Sequence, residues 1–240
     1  MICVDLEDAV PADGKDAARA LAVGLASEVD PRLAIRINRV ASRAGLADLL
    51  ALAERPPATL LVPMCQSAAE LAIVRAVVGE EVALLPLVET VAGLRAAGDI
   101  AAAPGVAALM FGGGDLSAQL GVALEWEPLV TARALIVMAA AGAGVAAIDV
   151  PFVRLDDGEG LAMETGRAKA LGFAGKAAIH PGQLDAIHAA FRPSDEERAE
   201  AREALAAFRA GGGAAVRWQG RMLEAPLMAR LARIAGEANA

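Results

Sequence analysis

MICVDLEDAVPADGKDAARALAVGLASE, residues 1–28, holds the pattern that decides the fold. Ile2 to Leu6 is a short apolar run of strand composition, crowded at its end by Asp5, Glu7 and Asp8, and Lys15 to Glu28 is helical in composition. The same pairing recurs along the chain. LAIRIN (Leu33–Asn38) precedes GLADLLALAE, TLLVP (Thr59–Pro63) precedes SAAELAIVRAVV, and VALLPLVE (Val82–Glu89) precedes VAGLRAAGDIAA. AALMFG (Ala107–Gly112) leads into DLSAQLG and a longer helix from Pro128 to about Ala141; VAAID (Val145–Asp149) leads into GLAMETGRAKAL, and AAIH (Ala177–His180) into GQLDAIHAAF. Strands alternating with helices imply a parallel sheet covered by helices, and strands apolar at consecutive positions are buried on both faces.

The run contains seven such units, whereas a closed barrel of this type needs eight. The reading is an α/β chain with a (β/α)8 TIM barrel lacking its first β/α unit. The rival, an open doubly wound sheet, lacks a GxGxxG after the first strand. The barrel is expected over residues 1–192. Residues 193–240 form a C-terminal helical extension, expected to pack on the barrel or on a neighbouring subunit. RPSDEERAEAREALAAFRA reads as an amphipathic helix starting at Pro193 and Ser194; Gly211–Gly213 breaks it, AAVRW reads as a short strand, and GRMLEAPLMARLARIAGEA as a last helix.

A chain of 240 residues, 56% hydrophobic and 22% charged, has ample apolar surface for a large core. Its net charge of -8 argues against nucleic acid as a partner. Cys3 and Cys65 lack metal-ligand spacing and are expected as two buried thiols in a reducing, cytoplasmic setting. No signal-like run opens the chain, and ALIVMAAAGAGVAAI (Ala134–Ile148) reads as a helix end, a glycine turn and a buried strand rather than a membrane span.

Function in a barrel sits at the C-terminal ends of strands. The candidates there are Asp5, Glu7 and Asp8; Arg36 and Asn38; Pro63; Glu89; the glycines Gly112, Gly113 and Gly114 with Asp115; Asp149; and His180. Glu89 and Asp115 end neighbouring strands and are able to converge on one cation. An oxygen-ligand pair suits magnesium or manganese rather than zinc. The alternative is that each caps the helix that follows it. The three glycines would let backbone approach a ligand, with Gly113 and Gly114 as substrate contacts. Arg36, flanked by isoleucines, needs an anion: a substrate carboxylate, an internal acid, or both. His188 reads as a surface or packing residue and His180 as a hydrogen-bonded structural one. GFAGK lacks the P-loop pattern.

Taken together, DLEDAVP, IRIN, LPLVET, FGGGDLSAQLG, GFAGKAAIHPGQ, FRPSDEE and GRMLEAP resemble the citrate lyase beta-subunit and CoA-ester lyase family, within the group that also holds the class II pyruvate aldolases. The resemblance implies a (β/α)8 barrel, a trimer or hexamer, bound magnesium, and reversible cleavage of a 3-hydroxy-acyl thioester such as citryl-, malyl- or citramalyl-CoA. It places the metal carboxylates on Glu89 and Asp115 and the substrate-carboxylate arginine on Arg36. Glu7 and Asp8 match acids that bind metal waters or orient the arginine. Asp8 stands where the aldolase branch has a histidine, which favours the thioester lyases, and it is a candidate base. Glu224 of GRMLEAP stands where the thioester lyases carry an aspartate that protonates the enolate in a neighbouring subunit. Met64 replaces a lysine of many relatives. Lys15, Arg19, Arg39, Arg43 and Lys176 are candidates for the CoA phosphates. Two alternatives stay open: a metal-dependent pyruvate aldolase acting on small hydroxy-keto acids, and a non-catalytic homologue.

Overall fold

The computed structural model describes residues 1–26, 30 and 32–237. The helical reading through Ser27 and Glu28, and the last residue of the final helix at Ala238, lie outside the described residues. Two compact units divide the chain, Met1–Ile187 and His188–Ala240.

In the first unit, β1 (Ile2–Asp5), β2 (Leu33–Arg36), β3 (Thr59–Val62), β4 (Ala83–Val88), β5 (Ala108–Phe111), β6 (Ala146–Asp149) and β7 (Gly175–Lys176) form one sheet. All neighbours are parallel and follow sequence order, the strand order of a (β/α)8 barrel. The helices between them are α1 (Lys15–Ala26), α2 (Arg43–Leu52), α3 (Ala68–Val78), α4 (Val91–Arg95), α5 (Ala97–Ala101), α6 (Gly113–Leu120), α7 (Trp126–Ala143) and α8 (Gly158–Leu171), with α9 (Leu184–Phe191) after β7. Ser42, Ser67 and Thr90 cap α2, α3 and α4 by accepting the backbone N–H three residues on. The glycine turn expected after α7 is Gly144, in the left-handed conformation at φ 73°, and β6 follows it. By length and composition α7 is apolar enough to cross a membrane, but here it packs along β5, β6 and α5 with Leu129, Ile136 and Ala140 buried.

Side-chain parity organises the sheet, because successive strand residues face opposite sides. Ala34, Leu61, Leu85, Leu87 and Ala108 form one apolar cluster with Met110 and Ile148 against it. The register pairs Arg36 with Leu61, Asp5 with Arg36, and Leu87 with Met110. Arg36 and Asp5 therefore share the face of this cluster, and so do Glu89, two residues beyond Leu87, and Gly112, two beyond Met110. Asp149 and Lys176, paired in register, lie on the other face, toward the helices.

Three expected boundaries shift. The seventh strand is Gly175–Lys176, not AAIH, because Lys176 pairs with Asp149, and His180–Pro181 already open a 3-10 turn. VAGLRAAGDIAA forms two short helices divided at Ala96. The last segment is not helical throughout. In the second unit, α10 (Asp195–Ala210) starts with a reciprocal Ser194–Glu197 capping box. β8 (Val216–Trp218) and β9 (Arg221–Leu223) then form an antiparallel hairpin, and α11 (Ala225–Ala235) begins only at Ala225. Gln219 and Gly220 make the hairpin turn, both with positive φ. Ala201, Leu205 and Ala235 form the apolar centre of this unit, packed by Met228, Leu231 and Ile234.

Candidate active site

The turn after β1 is organised by Asp5, which accepts the backbone N–H groups of Glu7 and Ala9 at 2.9 and 3.0 Å. Asp5 also receives the Arg36 fork, Nε at 2.7 Å and Nη2 at 2.6 Å. The internal-acid reading of Arg36 is thus realised. The same guanidinium lies 3.1 Å from Glu7 through Nη1 and 3.5 Å from Asp8 through Nη2. Burial opposes its charge, but the three acids outweigh burial and hold its pKa above the ordinary arginine range. Burial likewise raises the Asp5 pKa, yet the Arg36 and backbone hydrogen bonds prevail and hold it below the ordinary aspartate value.

Glu89 sits at the top of the inward column Leu85–Leu87–Glu89 and is buried. It does not cap the following helix. Thr90 does that, while Glu89 Oε2 accepts the Met64 backbone N–H at 2.7 Å. Met64 holds a left-handed backbone, φ 51°, which aims this N–H; the contact needs no lysine side chain. Asp115 is not a cap either: Gly112 is the N-cap of α6, and Asp115 lies exposed in its first turn.

The glycines have separate reasons. A Cβ on Gly112 would overlap Glu89 Cγ and come within 2.7 Å of Glu89 Cδ and Oε1, so this glycine exists for Glu89 rather than for a ligand. A Cβ on Gly113 would press on Leu124 and Phe111 at 3.0 Å, whereas Gly114 is exposed and faces open space.

Whether these residues fit a divalent cation is decided by charge. Asp5, Glu7 and Asp8 surround one guanidinium, Glu89 lies within reach of its charge and of Glu7 and Asp8, and Asp115 acts in turn on Glu89. Burial, with Asp115 and Asp8 adding repulsion against the partial relief of the Met64 N–H and Arg36, pushes Glu89 up to about 7. Burial, with Glu89, Asp8 and Asp5 adding to it against Arg36, pushes Glu7 up to about 8. Such crowding is relieved by protons or by a hard cation, and the donor set is all oxygen. Among the described residues no three His, Cys, Asp or Glu side chains converge on one point, so water or substrate oxygens would complete a shell begun by Glu89 and Asp115. The residues fit magnesium or manganese.

The sign of the pH effect follows. In the cation-free protein the folded state holds protons on Glu7 and Glu89 that the unfolded chain has released above about pH 4.5, so stability falls as pH rises toward 7–8. A cation that replaces those protons stabilises most above pH 8. The melting temperature is therefore expected to rise with magnesium at pH 8.5 and to change little at pH 5, measured by calorimetry; an equal rise at both would contradict the assignment.

The remaining candidates separate. Asn38 is buried and bonded to Leu6 O and Asp48. Asp149 faces the helices, where Lys176 Nζ donates to it at 2.7 Å and Arg133 Nε at 2.9 Å, with Glu164 Oε1 2.7 Å from Lys176. Lys176, with a fully buried side chain, is therefore no surface contact for a phosphate. Lys15 is spent on the carbonyls of Leu6 and Glu7, and Arg19 on Asp48 and Asp16; Arg39 and Arg43 are exposed. His180 Nδ1 accepts the Gly182 N–H, and His188 is exposed. Cys65 is buried, but Cys3, on β1, is exposed, because β1 has a strand neighbour on one side only among the described residues. Glu224 is exposed at the N-cap of α11 in the second unit. Arg133 and Glu164 were not singled out from the sequence, although a lone arginine in VTARALIVM carries the same signal as Arg36 in LAIRIN.

The comparisons with known proteins agree with this fold. A family model described as "HpcH/HpaI aldolase/citrate lyase" matches residues 1–181, and one described as "C-C_Bond_Lyase of the TIM-Barrel fold" matches residues 134–234. The chain is 37% identical to a (3S)-malyl-CoA thioesterase of Cereibacter sphaeroides, over 90% of the chain and 78% of that protein. It is 31% identical to the mitochondrial citramalyl-CoA lyase of Homo sapiens, over 94% of the chain and 74% of that protein. Among solved structures, CitE of Mycobacterium tuberculosis in complex with magnesium, acetoacetate and coenzyme A superposes with a TM-score of 0.86 at 33% identity, covering 99% of this chain and 90% of that one. The fold is a TIM barrel and the class is enzymatic, a carbon–carbon lyase. Within that class the chain belongs to the HpcH/HpaI aldolase/citrate lyase family.

Proposed function

We propose that this chain is a magnesium-dependent lyase that cleaves a 3-hydroxy-acyl thioester of the malyl-, citramalyl- or citryl-CoA type. The observation that carries the reading is that Glu89 and Asp115 share one mouth with Arg36 and its three acids. A divalent ion on Glu89 and Asp115 would supply a Lewis acid for the oxygen that becomes a carbonyl.

Arg36 holds the substrate carboxylate. Its Nε and one Nη2 hydrogen stay on Asp5, which fixes the plane of the fork, and the hydrogens facing Glu7 and Asp8 turn to the substrate. Asp8, its side chain 76% exposed and only loosely held, then takes the proton of the substrate hydroxyl. As the carbon–carbon bond breaks, its electron pair passes to the acyl-thioester fragment as an enolate. Glu224, presented by a neighbouring copy in a trimer or hexamer, returns a proton to that carbon.

The test is a thioester panel with and without magnesium. A keto acid and a shortened acyl-CoA are expected, and Glu89→Ala and Asp115→Ala should each lower kcat on the order of 1000-fold, the several kcal/mol that a bound ion is worth. Full activity in either variant would overturn the metal assignment. The similarity to a malyl-CoA thioesterase supports a second reading, hydrolysis, which would release free CoA thiol and an intact hydroxy acid instead. Cleavage of free hydroxy-keto acids alone would point to the pyruvate aldolase branch.

A further inference from the structure

We infer that Asp48, on α2, is the positioning residue that holds Arg36 and the acidic turn in working geometry; this rests on the lyase reading for its kinetic consequence. Asp48 is completely buried and accepts three hydrogen bonds: Arg19 Nε at 2.7 Å on Oδ1, and the Asn38 N–H at 2.8 Å and Nδ2 at 2.7 Å on Oδ2. Asn38 Nδ2 also donates to Leu6 O at 2.9 Å, and Lys15 Nζ to the same oxygen at 2.7 Å. The turn carrying Glu7 and Asp8 and the strand end carrying Arg36 are thus tied together from beneath by α1 and α2. Gly45 lets α2 come this close: a Cβ there would lie within 2.7 Å of the Asn38 carbonyl oxygen and overlap that of Arg39.

The placement matters because β1 has one strand neighbour, β2, among the described residues. Its exit is not fixed from both sides as the exits of β3 to β6 are. Every bond to Asp48 comes from a donor, so only an acceptor on both oxygens satisfies the arrangement. Asp48→Asn turns an amide N–H₂ toward either Arg19 or Asn38 and sets donor against donor. Arg19→Gln repairs that mismatch, since the glutamine Oε1 stands as many bonds from the backbone as the arginine Nε and accepts where Nε donated.

The experiment compares Asp48→Asn, the pair Asp48→Asn/Arg19→Gln, and the unmodified chain. The first readout is hydrogen exchange at Arg36 Nε–H by NMR without substrate or metal; the second is KM against kcat on whichever thioester is cleaved. Asp48→Asn is expected to speed exchange at least tenfold and to raise KM at least tenfold with kcat within threefold; the pair is expected to recover both. Unchanged exchange in Asp48→Asn, or exchange that the pair fails to restore while both variants fold, overturns the inference. If the unmodified chain cleaves no thioester, the lyase reading falls, and the exchange measurement still decides the role of Asp48.

Discussion

Gly112→Ala is expected to give a folded chain whose magnesium affinity is lower by about 100-fold, the upper range seen when the support of a metal ligand is lost, and whose turnover falls with it. The alanine methyl has no room. It would overlap Glu89 Cγ, and the Glu89 carboxylate is held on its far side by the Met64 N–H at 2.7 Å. Either Glu89 leaves its rotamer and gives up that bond, or the start of α6 retreats and carries Asp115 away from it. Both outcomes separate the two carboxylates. Gly98→Ala on α5, where a Cβ meets nothing within 4 Å, is the matched control. Magnesium titration by calorimetry beside a thermal melt reads the result, and affinity equal to that of the control would show that Glu89 is not held between Gly112 and Met64 as described.

The alternation of strands and helices was legible because its two periods differ so much. Short consecutive apolar runs read as strands buried on both faces, and their order along the chain is their order in the sheet. The mouth was legible too: Arg36 among isoleucines, and Glu89 and Asp115 just beyond β4 and β5, stand out by type and place. Which face each strand end presents was not. Asp149 ends β6 and Glu89 directly follows β4, but parity against Ile148 and Leu87 sends one toward the helices and the other to the interior. That parity needs the register, and the register is a tertiary fact. The glycines illustrate the same limit. GGG advertises a close approach, but only the folded chain reveals that Gly112 is approached by Glu89, Gly113 by Leu124 and Phe111, and Gly114 by no neighbour. Asp48 was hidden for a different reason: an acid in a helix reads as solvated until its helix is seen to lie over two strand exits.

Lys176 separates the two levels of reading by experiment. As a contact for a CoA phosphate, Lys176→Met would raise KM and leave the melting temperature alone. As the structure has it, Lys176 is one of two cations, with Arg133, closed in with two carboxylates, Asp149 and Glu164. Its Nζ makes three hydrogen bonds of 2.7 Å, to Asp149, Glu164 and the Val150 carbonyl. Arg133, only 1% exposed in its side chain and stacked at 5.3 Å on Phe111 and 4.7 Å on Trp126, already spans Asp149 at 2.9 Å and Glu164 at 3.6 Å, and its single charge does not balance both carboxylates. Losing Lys176 leaves an uncompensated negative charge in the wall between the sheet and α7 and α8. Breaking one partner out of a buried ion pair costs about 3–5 kcal/mol. At roughly 2–4 °C per kcal/mol for a chain of this length, the melting temperature is expected to fall by about 10 °C, with KM unchanged at temperatures where the variant is folded. Adding Asp149→Asn leaves Arg133 facing Glu164 and restores the charge balance, so part of the lost stability should return. A raised KM with an unaltered melt would place Lys176 at the substrate after all, and would require its side chain to leave Asp149.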